Sequence, residues 1–263
     1  MRRPPAGEER EKGMTKKELA LVCIERLKQQ YPLAECTLDY DHAWQLLVEV
    51  RLAAQCTDAR VNVVVQELFA KYPNVAALAA ATPEEIEEIV RPCGLGRSKA
   101  RDISACMRML RDEYDCGIPQ TFDELLKLPG VGRKSANLIM GDVFGKPAIV
   151  TDTHCIRLCN RIGLVDNIKE PKKVEMALWK IIPPEEGSDF CHRLVHHGRD
   201  VCTARTKPYC ERCCLADVCR YAGENGLAPA GAPAGGNTAV NRGIRAAGMA
   251  KPARCAIIEE NPQ

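Results

Sequence analysis

Three groups of residues in this chain have types and spacings that could do chemistry. Lys134 follows two glycines, Gly130 and Gly132, and stands where a helix is predicted to begin. A cation in the first turn of a helix opposes the helix dipole, which favours the neutral, nucleophilic form of the amine. Asp152 precedes another predicted helix, where a carboxylate can cap the helix or take up a proton. Four potential thiolate ligands lie near one another: Cys202, Cys210, Cys213 and Cys219.

The segment around Lys134 predicts a helix, a tight turn and a second helix. Thr121 and Glu124 have the spacing of a capping box, so the first helix is predicted to begin near residue 122. Pro129 ends this helix, and the two glycines allow backbone angles that bulky residues avoid. Unpaired amides at the start of the second helix suit a phosphate oxygen. An ordinary helix hairpin with a solvated lysine remains an alternative at this point.

The hairpin has a partial copy 36 residues earlier in the chain, where residues 93–100 repeat the pattern of residues 129–136. In the earlier copy, Ser98 occupies the position that matches Lys134. Only the later copy therefore carries an amine there, which indicates that the two copies have different roles.

The four cysteines have the spacing C-x7-C-x2-C-x5-C, which predicts either a zinc ion or a [4Fe–4S] cluster. Zinc ribbons usually have two well-separated C-x2-C pairs, and the absence of that pattern favours iron and sulfur. Cys214 is adjacent to Cys213, and we assign Cys213 as the ligand because it completes the C-x2-C step. A metal that only stabilises the loop is the alternative to a functional centre.

The whole chain is predicted to be an all-α protein, because helical periodicity recurs along it and no convincing alternating strand does. It has 263 residues, 46% of them hydrophobic, and a formal net charge of +2. Binding to a polyanion therefore needs a local basic face, which residues 193–220 can provide. No apolar run is long enough to span a membrane and no signal core is present. We expect a cytoplasmic monomer, nucleoid-associated if bacterial, with mostly reduced cysteines.

Several runs together resemble the endonuclease III family of DNA base-excision repair glycosylases over about residues 15–220. The matching runs are 52–58, 128–137, 150–154, 157–161 and 197–199, together with the four cysteines. The resemblance implies a helix-hairpin-helix at 122–145 within a six-helix barrel domain at 38–147. It also implies a second domain, at 15–37 and 148–221, with a [4Fe–4S] cluster and the active site in the cleft between the domains. Residues 1–14 and 222–263 are predicted to be disordered.

The resemblance also implies roles for particular residues. Lys134 matches the catalytic lysine of the family and Asp152 its catalytic aspartate, while Gln55 and Leu95 match positions that enter the duplex. The turn of the hairpin is expected to contact DNA through Pro129, Gly130, Val131, Gly132 and Arg133. One departure is that seven residues separate Cys202 from Cys210, where the family commonly has six.

The implied function is removal of oxidised pyrimidines from duplex DNA, followed by cleavage on the 3′ side of the abasic site through a lysine Schiff base. Three alternatives remain at this stage. A pyrimidine-dimer or other lesion-specific glycosylase would also carry the lysine, whereas adenine-mismatch glycosylases generally lack it. A non-catalytic DNA-binding module would need neither Lys134 nor Asp152.

Overall fold

The capping and proline signals of the sequence correspond to helix ends in the computed structural model, which describes residues 14–33 and 35–227. No strand occurs in these residues, so the predicted all-α class is confirmed. The helices are α1 (Lys16–Gln30), α2 (Ala43–Leu52), α3 (Asp58–Lys71), α4 (Val75–Ala80), α5 (Pro83–Val90), α6 (Gly96–Glu113), α7 (Phe122–Leu125), α8 (Arg133–Asp142), α9 (Thr153–Ile162), α10 (Pro171–Leu178), α11 (Gly187–Asp200) and α12 (Arg220–Glu224). Short 3₁₀ helices occur at Arg91–Cys93, Pro184–Glu186 and Cys210–Arg212.

The chain divides into two compact units. The hairpin unit is residues 36–150 and contains α2 to α8. The cysteine unit comprises, within the described residues, 14–33, 35 and 151–227, with α1 and α9 to α12. The assignment of functional domains to 38–147 and to 15–37 with 148–221 stays a prediction.

In the hairpin unit, the long helix α6 packs against α4 and α5, and α2 packs against α8. The apolar side chains of α6 that face this core are fully buried, as are their partners on neighbouring helices. Burying a large aliphatic side chain stabilises the fold by about 1.5–3 kcal/mol. This core supports the start of α8, which carries Lys134, and the short connections that carry Gln55 and Leu95.

In the cysteine unit, α9 packs against α11 and α12, and α1 packs against α11. Four cysteines of this unit are buried, Cys23, Cys155, Cys159 and Cys191, and so is Cys106 of α6 in the hairpin unit. All five are free thiols. They behave as small apolar side chains and cross-link nothing.

Local capping signals set several helix starts. Thr15 and Thr82 each form a capping box with the glutamate three residues later. Two helices end earlier than the sequence indicates. Helix α7 is a single turn that ends at Leu125, and α8 ends at Asp142 and not at Gly145, which adopts a φ of +59° in the following turn.

The predicted tails fall mostly outside the described residues. Helix α12 crosses residue 222, where the second tail was expected to begin, because Ala222 is buried in the cysteine unit. Residues 1–13 and 228–263 lie outside the described part of the chain. In the part that is described, no helix has both the length and the apolar character that a membrane crossing needs.

Candidate active site and cysteine cluster

The hairpin has the predicted order of helix, turn and helix. Thr121 caps α7, with its hydroxyl accepting the Glu124 amide at 3.3 Å. Gly130 has a φ of +76°, as expected for a tight turn. Gly132 does not have the expected positive φ: it is extended, at −98°, and is the N-cap of α8.

Gly130 is required by close packing as well as by its backbone angle. A Cβ atom there would lie 2.9 Å from Cβ of Asp102 and 3.0 Å from Cδ of Arg51. Arg51 in turn donates from Nε to Asp102 at 2.7 Å and from Nη2 to the Ser98 hydroxyl at 3.1 Å. The position that matches Lys134 in the first sequence copy, Ser98, therefore helps to brace the second copy.

Lys134 lies in the first turn of α8, and its side chain is exposed. The guanidinium of the preceding Arg133 packs over the Phe122 ring at 4.9 Å, which ties α8 to α7. The hairpin is thus held by Arg51 and Asp102 at Gly130 and by the contact of Arg133 with Phe122. An exposed amine on a rigid element is well placed to meet a large substrate.

Gln55 and Leu95 lie in two short exposed connections of the hairpin unit. Both have left-handed backbones, with φ of +58° and +53°, which is costly for residues other than glycine. Leu95 is also 55% exposed, unusual for a leucine in a well-packed unit. Leu95 and Val131 occupy matching positions in the two sequence copies. Leu95 is the N-cap of α6 with a positive φ, whereas Val131 has a negative φ, so the two copies differ in backbone geometry.

Asp152 is the N-cap of α9, and its Oδ1 accepts the Cys155 amide at 2.7 Å. The side chain is half-buried and belongs to the cysteine unit. The interpretation of Asp152 as a helix N-cap is therefore correct. A cap does not preclude a catalytic role, because a carboxylate has a second oxygen.

Two arginines of α9 bind the segment that carries Cys202, and sequence reasoning did not identify them as site residues. Arg157 donates from Nη2 to the carbonyls of Gly198, at 3.1 Å, and Cys202, at 3.0 Å. Arg161 donates from Nη1 to the Cys202 sulfur at 3.2 Å and to the Thr203 carbonyl at 2.8 Å. The helix that Asp152 caps is thereby bonded to the first cysteine of the cluster.

Gly198 is needed for this arrangement. A Cβ atom there would overlap the His154 ring and come within 2.9 Å of the Arg157 guanidinium. Residues 197–199 form one of the runs that resemble the family, and close packing explains why this run has a glycine at position 198. Its only sequence signal is a glycine inside a helical pattern.

A cavity in the cysteine unit is lined by all four predicted ligands, Cys202, Cys210, Cys213 and Cys219, and not by Cys214. Its other lining residues are mostly apolar. Across residues 14–33 and 35–227, no three His, Cys, Asp or Glu side chains are arranged as a ready-made metal site. Two of the thiols instead contact other protein groups. The Cys213 sulfur lies 3.3 Å from Nε2 of His197, and the Cys219 thiol donates to the Arg161 carbonyl at 3.4 Å.

The donor set nevertheless fits an iron–sulfur cluster. Burial raises the pKa of the Cys213 and Cys219 thiols, so a positively charged metal is needed to hold them as thiolates. N–H groups already point at two of the sulfurs, from Arg161 to Cys202 and from the Leu215 amide to Cys213 at 3.4 Å. Four soft ligands, an apolar cavity and N–H donors to sulfur are typical of such centres.

Comparisons with known proteins identify the family of this chain. A family model described as HhH-GPD superfamily base excision DNA repair protein matches residues 48–184. Endonuclease III of Synechocystis sp. is 44% identical over 209 residues, which are 79% of this chain and 94% of that protein. The chain belongs to the endonuclease III family. Endonuclease III of Bacillus subtilis is 39% identical over 198 residues, 75% of this chain and 90% of the relative.

A solved structure of an endonuclease III shows the same fold. It is described as a trapped endonuclease III–DNA covalent intermediate in an estranged-adenine complex, and it is 41% identical to this chain. The TM-score is 0.76, with 81% of this chain and 99% of that chain covered. The helix-hairpin-helix glycosylase fold predicted from the sequence is confirmed.

As an endonuclease III family member, the chain is a base-excision repair enzyme, a DNA glycosylase and AP lyase for oxidised pyrimidines, and duplex DNA is its partner. The predicted family, enzyme class and DNA partner are confirmed. The family carries a [4Fe–4S] cluster. The roles of individual residues stay predictions.

Gly130 and Gly132 give a matched pair of substitutions. Gly130→Ala is expected to lose about 2–4 kcal/mol of unfolding free energy, because it combines a left-handed backbone with overlap at Arg51 and Asp102. Gly132→Ala meets no atom within 4 Å, so its stability loss is expected to stay below about 1 kcal/mol. Its added methyl would instead lower DNA affinity about 10-fold by blocking a phosphate.

Urea unfolding and fluorescence titration with duplex DNA measure the two effects separately. Equal stability losses in both variants would contradict the packing at Gly130. Unchanged DNA affinity in Gly132→Ala would contradict phosphate approach at the turn.

Proposed function

We propose that Lys134 is the nucleophile of the repair reaction and supplies both the glycosylase and the lyase activity. The observation that carries this proposal is the position of Lys134, exposed at the start of α8 on a hairpin braced by Arg51 and Asp102. The matching position in the first copy holds Ser98, which accepts a hydrogen bond from Arg51. Only the second copy therefore carries an amine at this position.

The chemistry begins with extrusion of the damaged nucleotide from the stack, which costs about a few kcal/mol and is easiest for a poorly stacked lesion. We propose that Gln55 and Leu95 enter the duplex and fill the space that the nucleotide leaves. Their exposure and left-handed backbones support this role, because strained exposed residues cluster at functional sites.

The turn of the hairpin fixes the register of the DNA. We propose that its amides bind a backbone phosphate, because the open space at Gly132 lets an anion approach the start of α8. The contributing residues are Pro129, Gly130, Val131, Gly132 and Arg133. Cationic side chains add affinity that falls as salt rises.

The amine of Lys134 then attacks C1′ of the sugar, and the base leaves with the electrons of the glycosidic bond. Opening of the sugar ring gives a Schiff base between C1′ and Nζ. The imine acidifies the C2′ hydrogen, and its loss expels the 3′ phosphate by β-elimination. One nucleophile thus performs both steps.

Asp152 is proposed to take up the proton of the attacking amine and to stabilise positive charge on the sugar. Its half-buried carboxylate is fixed by the α9 cap, so little reorganisation is needed when charge develops. The bonds from Arg157 and Arg161 to the Cys202 segment hold the same helix in place. We therefore propose a dual role for Asp152 as cap and catalyst.

The four cysteines are proposed to hold a [4Fe–4S] cluster that braces the loop between α11 and α12. Cys213→Ser is expected to lose most of the iron and acid-labile sulfide, because Cys213 lines the shared cavity. Cys214→Ser is the matched control and is expected to keep both, since Cys214 lies outside the cavity lining. Metal and sulfide analysis of the purified proteins decides the assignment.

A protein that contains zinc and no iron would contradict the proposed cluster. Loss of iron in Cys214→Ser with retention in Cys213→Ser would reverse the ligand assignment.

The proposed activity is tested with duplexes that carry an oxidised pyrimidine, an oxidised guanine, a pyrimidine dimer or an abasic site, each incubated with the protein and borohydride. We expect trapped adducts with the oxidised pyrimidine and the abasic site, and none with an undamaged duplex. A missing adduct on both would contradict the Schiff-base mechanism. Preference for the dimer would identify a different lesion specificity.

We also propose that the enzyme acts as a monomer in the cytoplasm, where DNA is available in bacteria.

A further inference from the structure

Lys99 is a lysine inside the hairpin unit that no step of the proposed reaction uses. It belongs to α6, and its side chain is fully buried. Lysine is almost never fully buried without partners, because a buried ammonium is costly unless its N–H groups are hydrogen-bonded. Since Lys99 does not reach solvent, its ammonium must act on groups inside the unit.

The ammonium of Lys99 bridges two helix ends that are distant in the sequence. It donates to the carbonyl of Leu52 and to the carbonyl of Cys93, each at 2.8 Å. Leu52 ends α2, and Cys93 ends the 3₁₀ helix Arg91–Cys93. The last carbonyls of a helix lack partners within it and attract positive charge. One cation thus satisfies both helix ends and joins them.

The first of these helix ends leads into the turn that carries Gln55. Gln55 follows Leu52 by three residues and has a left-handed backbone, with a φ of +58°. The Cys56 amide closes the turn by donating to the Ala53 carbonyl at 3.1 Å. Because the ammonium of Lys99 holds the residue directly before this turn, it fixes the place where the turn begins.

The second helix end leads into the connection that carries Leu95. Gly94 and Leu95 follow Cys93 directly and both have a positive φ, of +73° and +53°. Lys99 holds this connection at two points. Its ammonium binds the Cys93 carbonyl, and its backbone amide donates to the Leu95 carbonyl at 3.0 Å. A left-handed leucine persists only where the surrounding structure fixes it, and Lys99 is part of that structure.

We propose that Lys99 is a positioning residue that fixes the separation of Gln55 and Leu95 for entry into the duplex, which rests on the roles proposed above for those two residues. One side chain supports both connections, so their spacing is set before DNA arrives. Without the ammonium, the carbonyls of Leu52 and Cys93 lose their link and the two connections move independently. A misplacement of about 1 Å can cost a large factor in rate.

The step that depends on this spacing is extrusion of the damaged nucleotide. Extrusion costs least where stacking is already weak, so a loosened duplex needs less help from Gln55 and Leu95. Loss of the Lys99 ammonium therefore slows excision most where the lesion is well stacked. A merely structural role would lower the amount of folded enzyme and slow every substrate alike.

Lys99→Met tests the proposal, because methionine keeps an unbranched side chain and removes the N–H donors. Single-turnover excision by the full-length, iron-loaded protein is measured on an oxidised pyrimidine opposite adenine. One duplex is fully paired, and the other has a mismatched neighbouring pair that loosens the stack. Rates are normalised to the active enzyme, counted as borohydride-trapped adduct on an abasic-site duplex. Slowing of at least about 10-fold is expected in the paired duplex and of about 3-fold or less in the loosened one.

Leu110→Ala is the matched control for stability. Leu110 is also fully buried on α6, about three helical turns beyond Lys99. This variant is expected to lower the thermal unfolding temperature and to leave the ratio of the two rates unchanged. Equal slowing of both duplexes by Lys99→Met, or the same change of ratio in Leu110→Ala, would overturn the positioning role.

Amide hydrogen exchange in the absence of DNA tests the positioning itself. The Cys56 and Gly94 amides report on the two connections, since they donate to the carbonyls of Ala53 and Arg91. We expect both amides to exchange about 10-fold faster in Lys99→Met, by local opening, and at the natural rate in Leu110→Ala. Lys99→Gln, which keeps N–H donors on a shorter side chain, is expected to change exchange and rates in the same direction but less. Unchanged exchange in Lys99→Met and in Lys99→Gln would overturn the proposal.

The double variant Gln55→Ala, Leu95→Ala separates this proposal from the function on which it rests. We expect the double variant to change the same ratio of rates, and added Lys99→Met to change it little further. A fully additive effect of Lys99→Met would overturn its action through Gln55 and Leu95. An unchanged ratio in the double variant would overturn the duplex-entering roles, while hydrogen exchange still decides whether Lys99 fixes the two connections.

Discussion

Lys134→Ala is expected to give no borohydride-trapped adduct and to lower glycosylase turnover by at least about 10³-fold, because the proposed nucleophile is gone. Unfolding cannot account for such a loss, since Lys134 is exposed and its truncation is expected to change stability by less than about 0.5 kcal/mol. Gel analysis of the trapped complex and thermal unfolding measure the two quantities.

Lys127→Ala provides the matched control for charge. Lys127 is another exposed lysine of the same hairpin, so its removal also takes one positive charge from this surface. We expect this variant to form the adduct at close to the normal level, with a modest loss of DNA affinity that depends on salt. An adduct that persists in Lys134→Ala and disappears in Lys127→Ala would contradict the proposal, because it would identify Lys127 as the nucleophile.

Asp152→Asn separates the two roles proposed for the aspartate. Asparagine is as good an N-cap as aspartate and can still accept the Cys155 amide, so the thermal unfolding temperature is expected to stay close to that of the natural protein. The negative charge and the proton acceptor are lost, and single-turnover base excision is expected to slow by about 10²–10⁴-fold.

Asp152→Ala removes both the charge and the cap. It is expected to show the same catalytic loss together with about 1 kcal/mol of lost stability. Full activity in Asp152→Asn would show that the residue is only a cap. Equal destabilisation of both variants would instead show that the asparagine does not cap α9.

Features that depend on nearby residues could be predicted from the sequence. The caps at Thr15, Thr82 and Thr121 follow from a glutamate three residues later, because the capping bonds lie within one helical turn. The positive φ of Gly130 could be expected in a tight turn. The extended φ of Gly132 could not, since a glycine adopts either conformation without cost and the helix start decides between them.

Features that depend on distant residues could not be predicted in the same way. Nothing near Gly130 in the sequence indicates that Arg51 and Asp102 pack against the turn. Arg157 and Arg161 likewise reach carbonyls more than 40 residues away, and their charge alone is typical of a solvated helix face. Such contacts arise only when the helices pack.

The cysteine cluster combines a local and a distant signal. The spacing of the four cysteines predicts soft ligands for a metal centre, and all four line one cavity. The bonds from Arg161 to the Cys202 segment gave no sequence signal, because they form only when α9 packs beside that segment.

The central claim, that Lys134 forms the Schiff base, is tested most directly by mapping the reduced adduct on the peptide chain. The protein is trapped on an abasic-site duplex with borohydride, the DNA is digested to the sugar remnant, and the protein is cut with trypsin. Modification of Lys134 blocks cleavage after that residue, and trypsin does not cut between Lys146 and Pro147, so we expect the remnant on peptide 134–157. A remnant on any other lysine or on the amino terminus, with normal cleavage after Lys134, would contradict the account.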